Sequence, residues 1–217
     1  MIGWRVERVS ASAAEVHGLE LPEAVTRVAR VVEIDTAALV LGSAQPDTDV
    51  DRSAADRLGI EVVHRRSGGG AVLLEPGATV WIDVEIGRDD PLWDDDVGRA
   101  ALWLGRVWVD SLAAVGVDDG IVHRGPMERP SLGSVVCFAG LASGEVTVGT
   151  AKVVGISQRR TRGGARFQCA VPLRWDRDRH VELLAPGLAR VGVDLDLETI
   201  VVGSGRELTD AFLDRLP

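Results

Sequence analysis

The stretch that decides how this chain folds is Arg65-Arg66-Ser67-Gly68-Gly69-Gly70-Ala71-Val72. It is a basic, glycine-rich loop between two apolar segments, 60–64 and 72–74, that are both predicted to be strands. Glycines let backbone amides approach an anion closely because they carry no Cβ. Dinucleotide and Walker loops open directly into a helix, whereas this loop leads to the turn Pro76-Gly77. The loop is therefore predicted to bind an anion between strands, without either nucleotide motif.

A second motif lies further along the chain and reads Gly149-Thr150-Ala151-Lys152-Val153-Val154-Gly155-Ile156-Ser157-Gln158-Arg159-Arg160. Lys152 is the only lysine among 24 basic residues. A lysine ammonium is a compact, mobile charge, whereas arginine presents a planar fork, so the two are not interchangeable. Lys152 is therefore the first candidate for catalysis.

Composition narrows the functional classes. The net charge of −9 argues against a general nucleic-acid binder, whose affinity comes from neutralised phosphates. The arginines near the two motifs are either a local anion site or a solvated charged hairpin; they are Arg65, Arg66, Arg159, Arg160, Arg162 and Arg166. Two cysteines are too few for a disulfide scaffold, and no signal peptide or membrane-length segment is visible. We expect a cytoplasmic protein with free thiols, bound to neither nucleic acid nor membrane.

The pattern of apolar residues predicts an α+β fold with a mixed, largely antiparallel sheet and flanking helices, because no regular βαβ rhythm is present. The predicted strands are 1–9, 28–34, 37–42, 60–64, 72–74, 79–86, 133–138, 145–148, 152–160 and 165–171. The predicted helices are 10–19 with Ser10 as its cap, 49–58, 94–115, 176–185 and 207–213. Alternation in 79–86 predicts one buried and one wet face. Trp103 and Trp108 are assigned to the core.

The two motifs, in this order and at this separation, resemble the lipoate-protein ligase A and octanoyltransferase family, which has the catalytic fold of biotin and lipoate protein ligases. The resemblance covers roughly residues 30–172, and we expect one catalytic domain over 1–217. It implies transfer of a lipoyl or octanoyl group to a lysine of a lipoyl carrier domain, in a 2-oxoacid dehydrogenase or the glycine cleavage H protein. Ligases of the family use lipoate or octanoate with ATP and Mg through an acyl-adenylate. Some transferases use acyl carrier protein and a cysteine thioester, without a cofactor.

The resemblance also assigns site residues. Lys152 takes the place of the family's lysine, which contacts the carbonyl and phosphate region. The acyl- or adenylate-binding residues are Arg65, Arg66, Ser67, Gly68, Gly69, Gly70, Ala71, Gly155 and Ser157. Cations aimed at developing negative charge are what an activated acyl group requires. No metal site is predicted.

Cys137 is the second catalytic candidate. Cys137-Phe138, followed by Ser143 and Glu145, resembles the pattern of the cysteine-using octanoyltransferases. A free cysteine is equally well a small buried hydrophobe on a strand, and both interpretations stay open. Cys169, in an apolar strand, is assigned to the core.

Several positions depart from the ligase pattern. Ligases carry His-Asp and then Gly-Asn after the glycines, where this chain has Leu74-Glu75 and Gly77-Ala78. The family's His-Gly-Thr or His-Gly-Ser is Gln168-Cys169-Ala170 here. The leading hypothesis is ligation through an acyl-adenylate; the alternatives are a cofactor-free transferase that uses Cys137 and a catalytically inactive acyl- or carrier-binding relative.

Overall fold

The computed structural model describes residues 3–130, 133–188 and 204–217. Its strands, in chain order, are β1 (Arg5–Ala11), β2 (Val28–Ile34), β3 (Ala38–Leu41), β4 (Glu61–His64), β5 (Val72–Leu74), β6 (Thr79–Gly87), β7 (Gly120–Val122), β8 (Val146–Val148), β9 (Ala151–Arg160) and β10 (Gly164–Pro172). Its helices are α1 (Ala13–Gly18), α2 (Arg52–Leu58), α3 (Leu102–Ala114), α4 (Arg177–Glu182) and α5 (Gly205–Leu213), with 3-10 turns at Asp47–Asp49 and Cys137–Ala139.

Two sheets organise these elements. The larger has seven strands in the order β1-β2-β6-β10-β9-β8-β7, and the smaller has three in the order β4-β3-β5. In the larger sheet only β1 and β2 pair in parallel. The predicted α+β class with a largely antiparallel sheet is confirmed. No helix in the described ranges has the length and hydropathy needed to cross a bilayer.

Both faces of the larger sheet are covered. Side chains alternate along each strand, so Ile82 and Phe167 join the core under α3 and α5, whereas Trp81 packs on the opposite side against α1 and the smaller sheet. β6 is therefore buried along almost its whole length, and Asp83 on it is 0% exposed. The predicted wet face of 79–86 is wrong, because the polar residues on that face point into the protein interior and pair there.

Helix α3 is shorter than its apolar stripe predicted. The segment before Leu102 forms turns, in which the Asp94 carboxylate accepts a hydrogen bond from the Asp96 amide and pairs with Arg99. Short acidic side chains that bind nearby amides favour turns over helix. Val97, the first residue of the stripe, is 56% exposed. Trp108 is fully buried as predicted and stacks on Phe212.

Other boundaries also differ from the sequence-based assignment. Residues 133–138 do not form a strand, because the backbone around Cys137 bonds to Ala71 instead of a neighbouring strand. The first helix is capped by Ser12, not Ser10, through a capping box with Glu15. Strand β7 lies in a segment for which the sequence pattern predicts neither a strand nor a helix.

Candidate active site

A cavity of about 890 Å³ lies between the glycine loop, the smaller sheet and one face of the larger sheet. It is lined by residues of both motifs and of both sheets, including Gly68, Gly69, Gly70, Val72, Trp81, Cys137, Lys152, Gly155, Ser157 and Gln168. The two motifs that are distant in sequence therefore meet at one site.

Arg65 holds the glycine loop from inside. Its side chain is buried, and its guanidinium donates to the backbone carbonyls of Val40 at 3.2 Å, Gly68 at 3.0 Å and Gly70 at 2.8 Å. Gly69 has a φ of 109°, which favours glycine. Arg65 thus sets the loop conformation, and direct contact between Arg65 and an acyl donor stays a prediction.

Four of the other motif arginines pair with groups at three different places and do not converge on one anion site. Arg66 is exposed and pairs with Glu20, which also accepts from Arg159. Arg160 donates to carbonyls of the Asp94–Asp95 turn, and Arg166 forms a buried pair with Glu85. A binding role for Arg66 stays a prediction.

A β-bulge directs Lys152 into the cavity. In the β8–β9 pairing, Val146 lies opposite Val154 but Thr147 lies opposite Lys152, so β9 carries one extra residue. Bulges of this kind re-aim a side chain. Val153 and Val154 belong to the core under α3, whereas Lys152 lines the cavity.

The Lys152 ammonium is held by three acceptors. Nζ donates to the Cys137 carbonyl at 2.7 Å and to the two Glu145 carboxylate oxygens at 3.0 and 3.2 Å. It also lies 5.1 Å from the centre of the Phe138 ring, within cation–π range. Lys152 is therefore a fixed, nearly buried cation beside Cys137.

Glu145 is a candidate site residue whose contacts the sequence did not reveal. Besides holding Lys152, its carboxylate accepts from the Ile156 amide at 3.0 Å and the Ala142 amide at 2.6 Å. Such a saturated carboxylate fixes the position of the ammonium. The signal that the sequence offered was an acidic residue directly before β8, the strand that pairs with the Lys152-bearing strand β9.

Cys137 begins a single 3-10 turn and faces the cavity, half-buried. Its amide donates to the Ala71 carbonyl at 2.8 Å, and the Ala71 amide donates to Val135 at 2.7 Å. Ser67 donates to Ser157 at 3.0 Å, which joins the loop to β9. Cys137 is thus not on a strand. Cys169 is fully buried in the α3 core, and this burial raises the pKa of its thiol.

The described geometry agrees with a known domain. The family described as the lipoyl protein ligase A/B catalytic domain matches residues 18–192. The chain belongs to this family. Octanoyltransferase LipM of Clostridioides difficile (strain 630) is 28% identical over 152 residues, which are 69% of this chain and 55% of that protein. The chain therefore spans little more than half the length of this relative.

Two solved structures share the fold of this lipoyl ligase family domain. A bi-partite lipoate protein ligase from Thermoplasma acidophilum, described with its E2 lipoyl domain, has a TM-score of 0.71 at 16% identity, covering 99% of this chain and 82% of that chain. A lipoate-protein ligase A bound with ATP has a TM-score of 0.67 at 18% identity, covering 99% and 84%. These likenesses establish the fold.

Two titratable groups contact Trp81 on the α1 side of the cavity: His17, which lines the cavity, and the buried Asp83, which does not. Burial raises the pKa of Asp83 to about 6, although the hydrogen bond from Trp81 and the charge of Arg166 act in the opposite direction. Burial lowers the pKa of His17 to about 4, and the charges of Arg65 and Arg166 lower it further. His17 is therefore a neutral imidazole near neutral pH.

Proposed function

We propose that this chain is a lipoyl- or octanoyl-transferring enzyme in which Cys137 carries the acyl group as a thioester. The observation that supports this most is the fixed ammonium of Lys152, which hydrogen-bonds the Cys137 carbonyl at the wall of the shared cavity. Membership of the lipoyl protein ligase A/B family supplies the substrate class. The octanoyltransferase relative favours octanoyl over lipoyl.

The chemistry divides into two steps. In the first, the Cys137 thiolate attacks the thioester carbonyl of an acyl carrier, forming an S-acyl bond; the carrier thiolate leaves and takes up the proton that Cys137 lost. In the second, a lysine amine of the acceptor attacks the acyl carbon, an amide forms, and the thiol of Cys137 returns with the amine's proton.

Lys152 stabilises negative charge in both steps. Attack on a thioester carbonyl places charge on the carbonyl oxygen, and preorganised cations at that position lower the barrier. Glu145 keeps the ammonium in place, so it need not reorganise during the reaction. The glycine loop, fixed by Arg65, lets the acyl group lie against backbone.

The acceptor in this proposal is a lipoyl carrier domain of a 2-oxoacid dehydrogenase or the glycine cleavage H protein. The Thermoplasma ligase is described together with an E2 lipoyl domain, which supports this class of partner. The donor is an acyl carrier protein.

Ligation through ATP is the competing route, and the cavity residues fit ATP poorly. A triphosphate needs uncommitted cations. Here the donors of Arg65 bind backbone carbonyls, and Arg66 pairs with Glu20. Glu75, where ligases carry an acid after histidine, pairs with Arg179. The thioester route is the one that these residues support.

Intact mass spectrometry tests the proposal. The chain is incubated with octanoyl-acyl carrier protein and, separately, with octanoate and MgATP. We expect an octanoyl adduct that is absent in Cys137→Ser and present in Cys169→Ala, the control for the buried thiol. Octanoyl-adenylate without an adduct would replace this proposal with the ligase. Octanoate binding with neither product would identify an inactive relative.

A further inference from the structure

A stacked pair of rings stands at the end of the cavity toward α1. The His17 imidazole lies 4.9 Å from the Trp81 ring centre, tilted by 33°. His17 is 8% exposed and Trp81 4% exposed, and both line the same cavity as Cys137 and Lys152. The two rings are thus a wall of the proposed acyl site.

Neighbouring groups hold both rings in place. The Trp81 indole donates to Asp83 at 2.6 Å, and the Gln168 amide nitrogen lies 3.3 Å from Nδ1 of His17. Helix α1, which carries His17, is anchored by its capping box and by the buried Ala13 and Val16. The wall is therefore rigid.

Within the described part of the chain, Trp81 is backed by closely packed apolar side chains. Trp81 packs into a buried cluster whose members also include Ala13, Val16, Val32, Val40 and Leu74. Protein cores are packed as densely as organic crystals, so a chain that reaches Trp81 must stop there.

The sheet register gives the distance from the reacting groups to this wall. Trp81 lies opposite Ala170, which lies opposite Gly155, so two strand spacings of roughly 10 Å in total separate Trp81 from Gly155. Lys152 is three residues from Gly155 along β9, roughly another 10 Å. The diagonal between the two Cα atoms is ~14 Å. An extended eight-carbon chain is roughly 9 Å long, so the two lengths are of the same order.

We propose that His17, stacked on Trp81, is the end wall of the acyl pocket and sets the longest chain that the site accepts. This inference rests on the proposed acyl transfer and names a specificity residue for it. His17 is neutral near neutral pH, as its lowered pKa requires, so an alkyl terminus can pack against the ring without desolvating a charge. Removing the imidazole leaves space for a longer chain, and a larger ring leaves less.

The test uses a series of acyl chains. Hexanoate, octanoate, decanoate and dodecanoate are compared by thermal stabilisation of the whole chain, and the matching acyl carrier proteins by the Cys137 adduct. We expect His17→Ala to raise the preference for decanoyl over octanoyl by on the order of tenfold. We expect His17→Phe to move the optimum to hexanoyl.

The matched control is His180→Ala. His180 is also buried and stacked on a tryptophan, Trp175, with ring centres 4.6 Å apart, but it does not line the cavity. Its removal should leave the order of chain-length preference unchanged.

The outcomes separate this inference from the proposed function. If the preferred acyl chain length for binding changes in the His17 variants but no Cys137 adduct forms, His17 limits the chain length and the proposed thioester transfer is wrong. If the folded His17 variants form the adduct with the same chain-length preference as wild type, His17 does not limit the chain length and the proposed transfer stands. If His17→Ala does not fold, His17→Phe decides.

Discussion

A methyl group at Gly70 tests how closely the glycine loop must approach the Cys137 turn. A Cβ built on Gly70 would lie 2.6 Å from the Val135 carbonyl carbon and the Val136 nitrogen. Hydrogen bonds through Ala71 tie the same two segments together, so neither can move alone. Gly70→Ala must therefore displace the loop from the turn that carries Cys137.

The magnitude follows from this clash. Overpacking typically costs about 1–3 kcal/mol, and we expect a loss of this size in the free energy of unfolding. A misplacement of ~1 Å between reacting groups can lower a rate by about 100-fold. We expect the rate of acyl-Cys137 formation to fall by that order in Gly70→Ala.

The assays are urea unfolding followed by tryptophan fluorescence, and the rate of adduct formation followed by mass. Gly87→Ala is the matched control, because its Cβ would lie 2.6 Å from the Val25 carbonyl oxygen, outside the cavity. It should lose stability with little change in rate. Gly68→Ala meets no atom within 4 Å and should keep its stability. Wild-type stability and rate in Gly70→Ala, or an equal rate loss in Gly87→Ala, would refute the reasoning.

Two further predictions concern buried charges. Glu145→Gln leaves the buried Lys152 ammonium without its counter-charge, so we expect a loss of about 3 kcal/mol in unfolding free energy, partly restored in Glu145→Gln/Lys152→Met; a single variant as stable as wild type would contradict this. Burial lowers the pKa of His180 to about 4, so the unfolded chain binds the proton first, and stability is lost as the pH falls from 6.5 toward 4. In urea unfolding at several pH values, His180→Leu should lose about 3 kcal/mol less unfolding free energy than wild type over this pH range. Parallel plots of unfolding free energy against pH for variant and wild type would contradict the lowered pKa.

The elements that were predicted correctly from the sequence are those whose structure depends on residues close together in the chain. Strands β9 and β10 are joined by the turn-forming residues 161–164, and their observed bounds lie within one residue of those predicted. The glycine-loop motif and the Lys152 motif together, in their order and at their separation, were sufficient to indicate the family, because both can be recognised in the sequence alone. Trp108 was correctly assigned to the core because it belongs to the apolar stripe of its helix.

Long-range pairing explains where the predictions were wrong. The sequence of residues 133–138 is typical of a strand, but a strand must form backbone hydrogen bonds with a neighbouring strand. Here the Val135 carbonyl and the Cys137 amide are hydrogen-bonded to Ala71 instead. The predicted wet face of β6 became buried because the smaller sheet and α1 cover it. Neither covering element can be inferred from the strand itself.

By itself the sequence determined the motifs, most of the strands and the candidate site residues, since turn residues and side-chain periodicity act over a few neighbours. The tertiary structure alone decided how those residues meet. A bulge in β9 turned Lys152 toward the cavity, Glu145 fixed its ammonium beside Cys137, and α1 brought His17 onto Trp81. These contacts join residues distant in the chain, and they form only when packing of the two sheets offsets the entropy of ordering the segments between them.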